Sequence, residues 1–183
     1  YKKIVEIEPS NYKAHNNLGN ALKELGKLDE AIDSYRRAVK IKPDYTKANF
    51  NLGNILNDFG KFKEAIPNLL LALKSKPNFT DAHNCLAISY KKLGKFEKAI
   101  VHYKKANTSE SRAQILQCFY VLKKTEQYNK YLSKLSKDDP KNIKAASIST
   151  FVSNQLNLKN IYPFCKNPLE FIFLKNIKSN FNQ

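Results

Sequence analysis

The chain has 183 residues, 42% of them apolar, which is enough length for one or two domains with a sizeable core. No run of about 18 apolar residues offers a membrane span, no leader is expected from the first residues, and three scattered cysteines (Cys85, Cys118, Cys165) outside any CxxC spacing argue against a disulfide framework or zinc site. The net charge of +16 is spread along the chain and carried almost wholly by lysine, with only Arg36, Arg37 and Arg112 as arginine, so the bidentate phosphate and base contacts of a nucleic-acid binder have few side chains to make them.

The first segment, YKKIVEIEP (residues 1–9), reads as the last half of a helix closed by Pro9. Pro9, Pro43 and Pro77 stand 34 residues apart, and the chain between them falls into register. Leu18, Leu52 and Leu86 align, followed by Gly19, Gly53 and Ala87. Gly26, Gly60 and Gly94 align; so do Ala31, Ala65 and Ala99, each followed by isoleucine. Tyr35, Leu69 and Tyr103 align, then Ala38, Ala72 and Ala106. All five glycines fall on these repeated positions. A fixed period of this length marks a stack of like units.

Within each period the residue types predict a helix A, a tight turn and a helix B. Leu18 with Leu22, Leu52 with Leu56, and Leu86 with Tyr90 are four apart and give helix A an apolar stripe. Gly26, Gly60 and Gly94 sit where a left-handed residue must end helix A. Ala31, Ala65 and Ala99 are small, as close approach of helix B to helix A requires. Pro67 is predicted in or near the first turn of its helix B, with a slight kink at most.

After Asn107 the glycine and alanine landmarks stop. Two amphipathic helices are still predicted over 108–140, one with Ile115, Leu116, Phe119 and Leu122, the other with Tyr128, Tyr131, Leu132 and Leu135. A further helix is predicted over 141–156. Residues 157–183, with Pro163 and Pro168 and no helical period, read as a linker or the start of something else.

Residues 12–45, 46–79 and 80–107 resemble the tetratricopeptide-repeat (TPR) motif, on blocks such as NNLGNALKELGKLDEAIDSYRRAVKIKP and FNLGNILNDFGKFKEAIPNLLLALKSKP. The resemblance implies an all-α solenoid of antiparallel helix pairs in a right-handed superhelix, with an irregular C-terminal tail. It makes residues 1–11 the end of a preceding repeat, and 108–156 a degenerate repeat with capping helices. An array extending upstream is expected, since Tyr1 falls on that repeat's aromatic position and Pro9 on its proline. Residues 153–172 are similar to the segment that leads from TPR arrays into 2-oxoglutarate/Fe(II)-dependent oxygenase domains, which would place such a domain from about Leu169 onward.

In this family helix A lines a groove in which partner peptides lie. By register the groove positions are Lys13, Asn16, Asn17, Asn20 and Lys23, then Lys47, Phe50, Asn51, Asn54 and Asn57, then Asp81, Asn84, Cys85, Ile88 and Lys91. Asparagine dominates, and a carboxamide can pair with both N–H and C=O of an extended peptide. The row resembles the asparagine ladder of O-linked N-acetylglucosamine transferases, broken in the third repeat by Cys85 and Ile88. A second reading stays open: NLGN is common in the motif and asparagine is frequent in this chain. The carboxylate clamp of chaperone-binding TPR proteins fits worse, because Asn16, Asp81 and Cys85 stand where it needs cations.

His15 and His83, at the same repeat position, read as packing residues, and Cys85 and Cys118 as buried, inert thiols. No catalytic residue, metal site or cofactor motif is expected. The function expected is a cytoplasmic protein-interaction scaffold binding a peptide or partner protein. The alternative is the substrate-recruiting region of a larger oxygenase or O-GlcNAc-type glycosyltransferase.

Overall fold

The computed structural model describes residues 1–156; the segment 157–183, with the expected linker and Leu169, lies outside the described residues. It divides into two compact units, Tyr1–Ala106 and a second beginning at Asn107. Ten helices and no strand occur among the described residues. In the first unit these are α1 (Lys2–Ile7), α2 (Tyr12–Glu24), α3 (Leu28–Ile41), α4 (Thr46–Asp58), α5 (Phe62–Ser75), α6 (Thr80–Lys92) and α7 (Phe96–Ala106). In the second they are α8 (Ser109–Val121), α9 (Thr125–Asp138) and α10 (Ile143–Leu156).

The A helices are α2, α4 and α6, and the B helices α3, α5 and α7. The turns between them adopt the geometry the glycines predict: Gly26, Gly60 and Gly94 have φ of 72°, 70° and 71°. Each turn closes with the same long bond, from Lys27 N–H to the Leu22 carbonyl, Lys61 to Leu56 and Lys95 to Tyr90, at 2.8–2.9 Å, which satisfies a carbonyl the helix end leaves orphaned.

Helix A meets helix B through small residues. Ala31, Ala65 and Ala99 are wholly buried. A Cβ on Gly19 would come within 2.6 Å of the Tyr35 ring, and one on Gly53 within 2.6 Å of Leu69 Cγ, so the large residue of helix B occupies the space that glycine leaves. Tyr35, Leu69 and Tyr103 are the buried centres of the three repeats.

Repeats join through a second recurring device. His15 Nε2 donates to the Pro9 carbonyl at 3.0 Å, Asn49 Nδ2 to Pro43 at 2.8 Å, and His83 Nε2 to Pro77 at 2.9 Å. The two histidines are therefore buried donors to the proline carbonyl of the preceding turn, and Asn49 does the same work between them.

Pro67 is the sixth residue of α5, just past its first turn. Its missing N–H leaves the Lys63 carbonyl without its helical donor. The residue is exposed, so water can serve that carbonyl.

In the second unit α8 packs on both α9 and α10. Ile115, Leu116, Phe119, Tyr128, Leu132 and Leu135 are buried. Thr108 caps α8, its hydroxyl accepting from Ser111 N–H while the Ser111 hydroxyl accepts from Thr108 N–H. The start of α8 is tied to the turn before α10: Arg112 pairs with Asp139 at 3.1 Å, and Asn142 Nδ2 donates to the Ser109 carbonyl at 2.8 Å.

Candidate functional site

The expected groove residues lie on α2, α4 and α6. Their carboxamides do not all face solvent, because several bridge one A helix to the next. At the α2–α4 seam, Asn51 Nδ2 donates to both Asn16 Oδ1 and Asn20 Oδ1 at 3.0 Å. From below, the Tyr35 hydroxyl donates to Asn20 Oδ1 at 2.8 Å. Burial, with the nearby Glu24 carboxylate, pushes that phenol up to about 12, so it stays protonated and remains a donor.

At the α4–α6 seam, Asn57 Nδ2 donates to the Cys85 carbonyl at 2.8 Å and Asn57 Oδ1 accepts from the Ser89 hydroxyl at 2.6 Å. The Cys85 thiol donates to Asn54 Oδ1 at 3.1 Å. Burial and the carboxylates of Asp81 and Asp58 push this thiol up to about 11, which makes it unreactive.

Two expectations need correction. Asn16 is 2% exposed and serves the seam rather than the groove, because its position on α2 turns it toward α4. Cys85 is only half-buried; its inertness comes from its environment, and Cys118 alone of the two is fully buried.

What these helices still offer is the hydrogen-bonding capacity left after these seams close. The amide N–H₂ groups of Asn17, Asn20 and Asn54 have no partner among the described residues, and neither does Asn51 Oδ1. Asn20 is exposed, and Asn17, Asn51 and Asn54 are half-exposed. The Asn84 carboxamide oxygen is buried without a partner.

The remaining groove positions form the rim. Lys13 and Lys47 are exposed near the starts of α2 and α4. Lys23 lies 3.8 Å from Asp58, which offsets its charge. Phe50 meets Phe79 with ring centroids 4.6 Å apart and planes tilted by 46°. Ile88 is 41% exposed on α6, and Lys91 is half-buried. Tyr35 and Ser89 belong to this network although no groove register names them; Ser89 stands four residues after Cys85, one helical turn along the same helix, which is the signal that could have found it. No group of three histidine, cysteine or acidic side chains gathers to hold a metal among the described residues, and none of their helices is long and apolar enough to cross a membrane.

Four sequence profiles described as TPR or tetratricopeptide repeat match the chain, over residues 1–33, 19–58, 46–79 and 80–106. No curated protein sequence matches. Among solved structures the fold is similar to that of MamA, with a TM-score of 0.71 at 23% identity over 79% of this chain and 81% of that one. YrrB, described as a repeat protein with an unusual peptide-binding site, gives 0.68 at 19% identity over 84% of both chains. The first repeat module of Spaghetti (RPAP3), solved bound to the HSP90 peptide SRMEEVD, gives 0.58 at 23% identity over 61% of this chain and 92% of that one.

Proposed function

We propose that this chain, which belongs to the tetratricopeptide-repeat family, is a protein-interaction module whose α2–α4–α6 groove holds an extended peptide. The observation that carries this reading is the set of unpartnered amide groups on Asn17, Asn20 and Asn54 beside the free oxygen of Asn51. Three donors to one acceptor suit a ligand rich in carbonyl oxygens, as an extended peptide backbone is. Asn20 and Asn54 stand one repeat apart, so such a strand is gripped at successive repeats without regard to its side chains. YrrB and the RPAP3 module give the reading its precedent for peptide binding in this fold.

The seams add to the case. Asn51 and Asn57 fix the spacing of the A helices through hydrogen bonds to the neighbouring helix, and a groove held at fixed spacing loses less entropy on binding. A C-terminal carboxylate is a poorer fit, because Asn16 is buried and Asp81 and Cys85 supply no cation.

The test is to select a binding peptide from a random display library and measure its affinity for the Asn20→Ala/Asn54→Ala variant. Loss of two exposed hydrogen bonds predicts binding weaker by roughly tenfold or more, with the helical content kept and the melt lowered modestly, because Tyr35 and Cys85 lose their acceptors. Undiminished binding would move the peptide to another surface and end this reading.

A further inference from the structure

The outward face of the B helices carries a second patch, separate from the groove. On α5, Pro67, Leu70 and Leu71 stand at i, i+3 and i+4, so they share one face. Pro67 is exposed, and Leu70 and Leu71 are 44% and 40% exposed. One repeat later, in register with Pro67, Val101 is 52% exposed.

The positions in register with Leu70 and Leu71 are Arg36 and Arg37 on α3, and Lys104 and Lys105 on α7. All four are exposed. A turn further on, Lys40 and Lys74 are exposed too. Arg36 reaches across to Glu64 of α5 at 3.3 Å, which shows that the edge of α3 adjoins the α5 face. Arg37, Lys40, Lys74, Lys104 and Lys105 make no ion pair among the described residues. The acidic residues of these helices (Asp29, Glu30, Asp33, Glu64 and Glu97) all lie in their first halves, where the helix dipole favours them. Leu70 and Leu71, with Pro67 and Val101 at the register position of Asp33, thus form an apolar strip bracketed by uncompensated cations on the second halves of α3 and α7.

We propose that this strip docks an amphipathic helix whose apolar edge is flanked by aspartate or glutamate. Its leucine-type residues cover Leu70, Leu71 and Val101, and its acids meet Arg37, Lys104 and Lys105, in the helix-in-groove manner of recognition. Charge complementarity selects this occupant. A second copy of the chain is repelled, since each carries +16. An anionic membrane would also press against the acids at the other end of the same helices. A nucleic acid has no use for the exposed leucines.

The probe is a fluorescein-labelled synthetic helix of about 18 residues with leucines at i, i+3 and i+7 flanked by glutamates, read by anisotropy against the whole chain. Saturable binding is expected at low salt. It should fall by roughly tenfold or more in Leu70→Ser/Leu71→Ser and again in Arg37→Glu/Lys105→Glu, and stay unchanged in Asn20→Ala/Asn54→Ala. Absence of saturable binding overturns the proposal, as does a Leu70→Ser/Leu71→Ser variant that binds as the parent does, since that is bare charge attraction. Tighter binding to phosphatidylserine vesicles or to duplex DNA than to the helix overturns it as well.

Discussion

The three repeats of the first unit and the α8–α9 pair of the second build the same turn from different residues. In the repeats a glycine takes the left-handed position before helix B. In the pair, Lys123 takes it, with φ of 55°, and the closing bond is the same: Lys124 N–H reaches the Phe119 carbonyl at 3.0 Å, as Lys27 reaches Leu22. The next turn also repeats. Asn142 follows Pro140 and caps α10 by accepting from Ala145 N–H at 3.0 Å, as Asn11 follows Pro9 and accepts from Ala14 N–H. The turn geometry is thus set by how two helices must meet, and glycine is only the least strained residue for it. The ligand-facing chemistry does not travel with the geometry: where α2 and α4 show asparagines, α8 is buried along Ile115–Phe119.

The largest way to test this comparison is to open a cavity in each unit. Leu69 and Leu116 are both fully buried, and replacing either with alanine should cost about 2–5 kcal/mol. Amide exchange after Leu69→Ala should rise in α4–α6, and after Leu116→Ala in α8–α10. Equal loosening of both units by either change would contradict their separation.

Next comes acid. His83 Nε2 donates to Pro77, so its Nδ1 accepts the Nδ1–H of His102, 3.0 Å away. Burial lowers the pKa of both rings: for His83 the hydrogen bond to Pro77 opposes it and Lys105 adds to it, while for His102, lowered to about 4, His83 and Lys105 both add to it. The unfolded chain takes up these protons first, near its ordinary value of about 6.5. The stability contributed by the neutral pair is therefore present above that pH and lost as pH falls toward 4. The melting temperature should drop across that window, and a His102→Phe variant, which keeps a ring against Tyr90, should show a shallower drop. An identical pH slope in the variant would show that the pair is not the source.

The smallest effect exchanges the turn residues. Gly94→Ala should destabilise by about 1 kcal/mol, because φ of 71° strains a side chain. Lys123→Gly should stabilise by roughly 0.5 kcal/mol as that strain is removed. Denaturant midpoints moving the same way in both would mean the two turns are not equivalent.

How much of this was legible follows from where each cause lies in the chain. The helix pairs could be read because their causes are local: a proline every 34 residues, a glycine at each turn, an alanine at each close contact. The groove was legible only as a row of positions. Which carboxamide atoms remain free depends on partners 31–35 residues away, such as Asn51 for Asn16 and Cys85 for Asn54. Asn16 and Asn17 look alike in sequence, yet the helical turn of about 100° between neighbours sends one into the seam and leaves the other at the groove. Lys123 was invisible as a turn residue because no local preference asks for lysine there.

The most direct measurement of the central claim is the side-chain amide spectrum of the asparagines, followed by NMR as a selected peptide is added. Asn57, with both ends of its carboxamide engaged at the α4–α6 seam, serves as the internal control. The account predicts that the N–H₂ signals of Asn20 and Asn54 shift with saturation while that of Asn57 holds still. Peptide binding with Asn20 and Asn54 unmoved, and shifts gathered instead on α5 and α7, would contradict it.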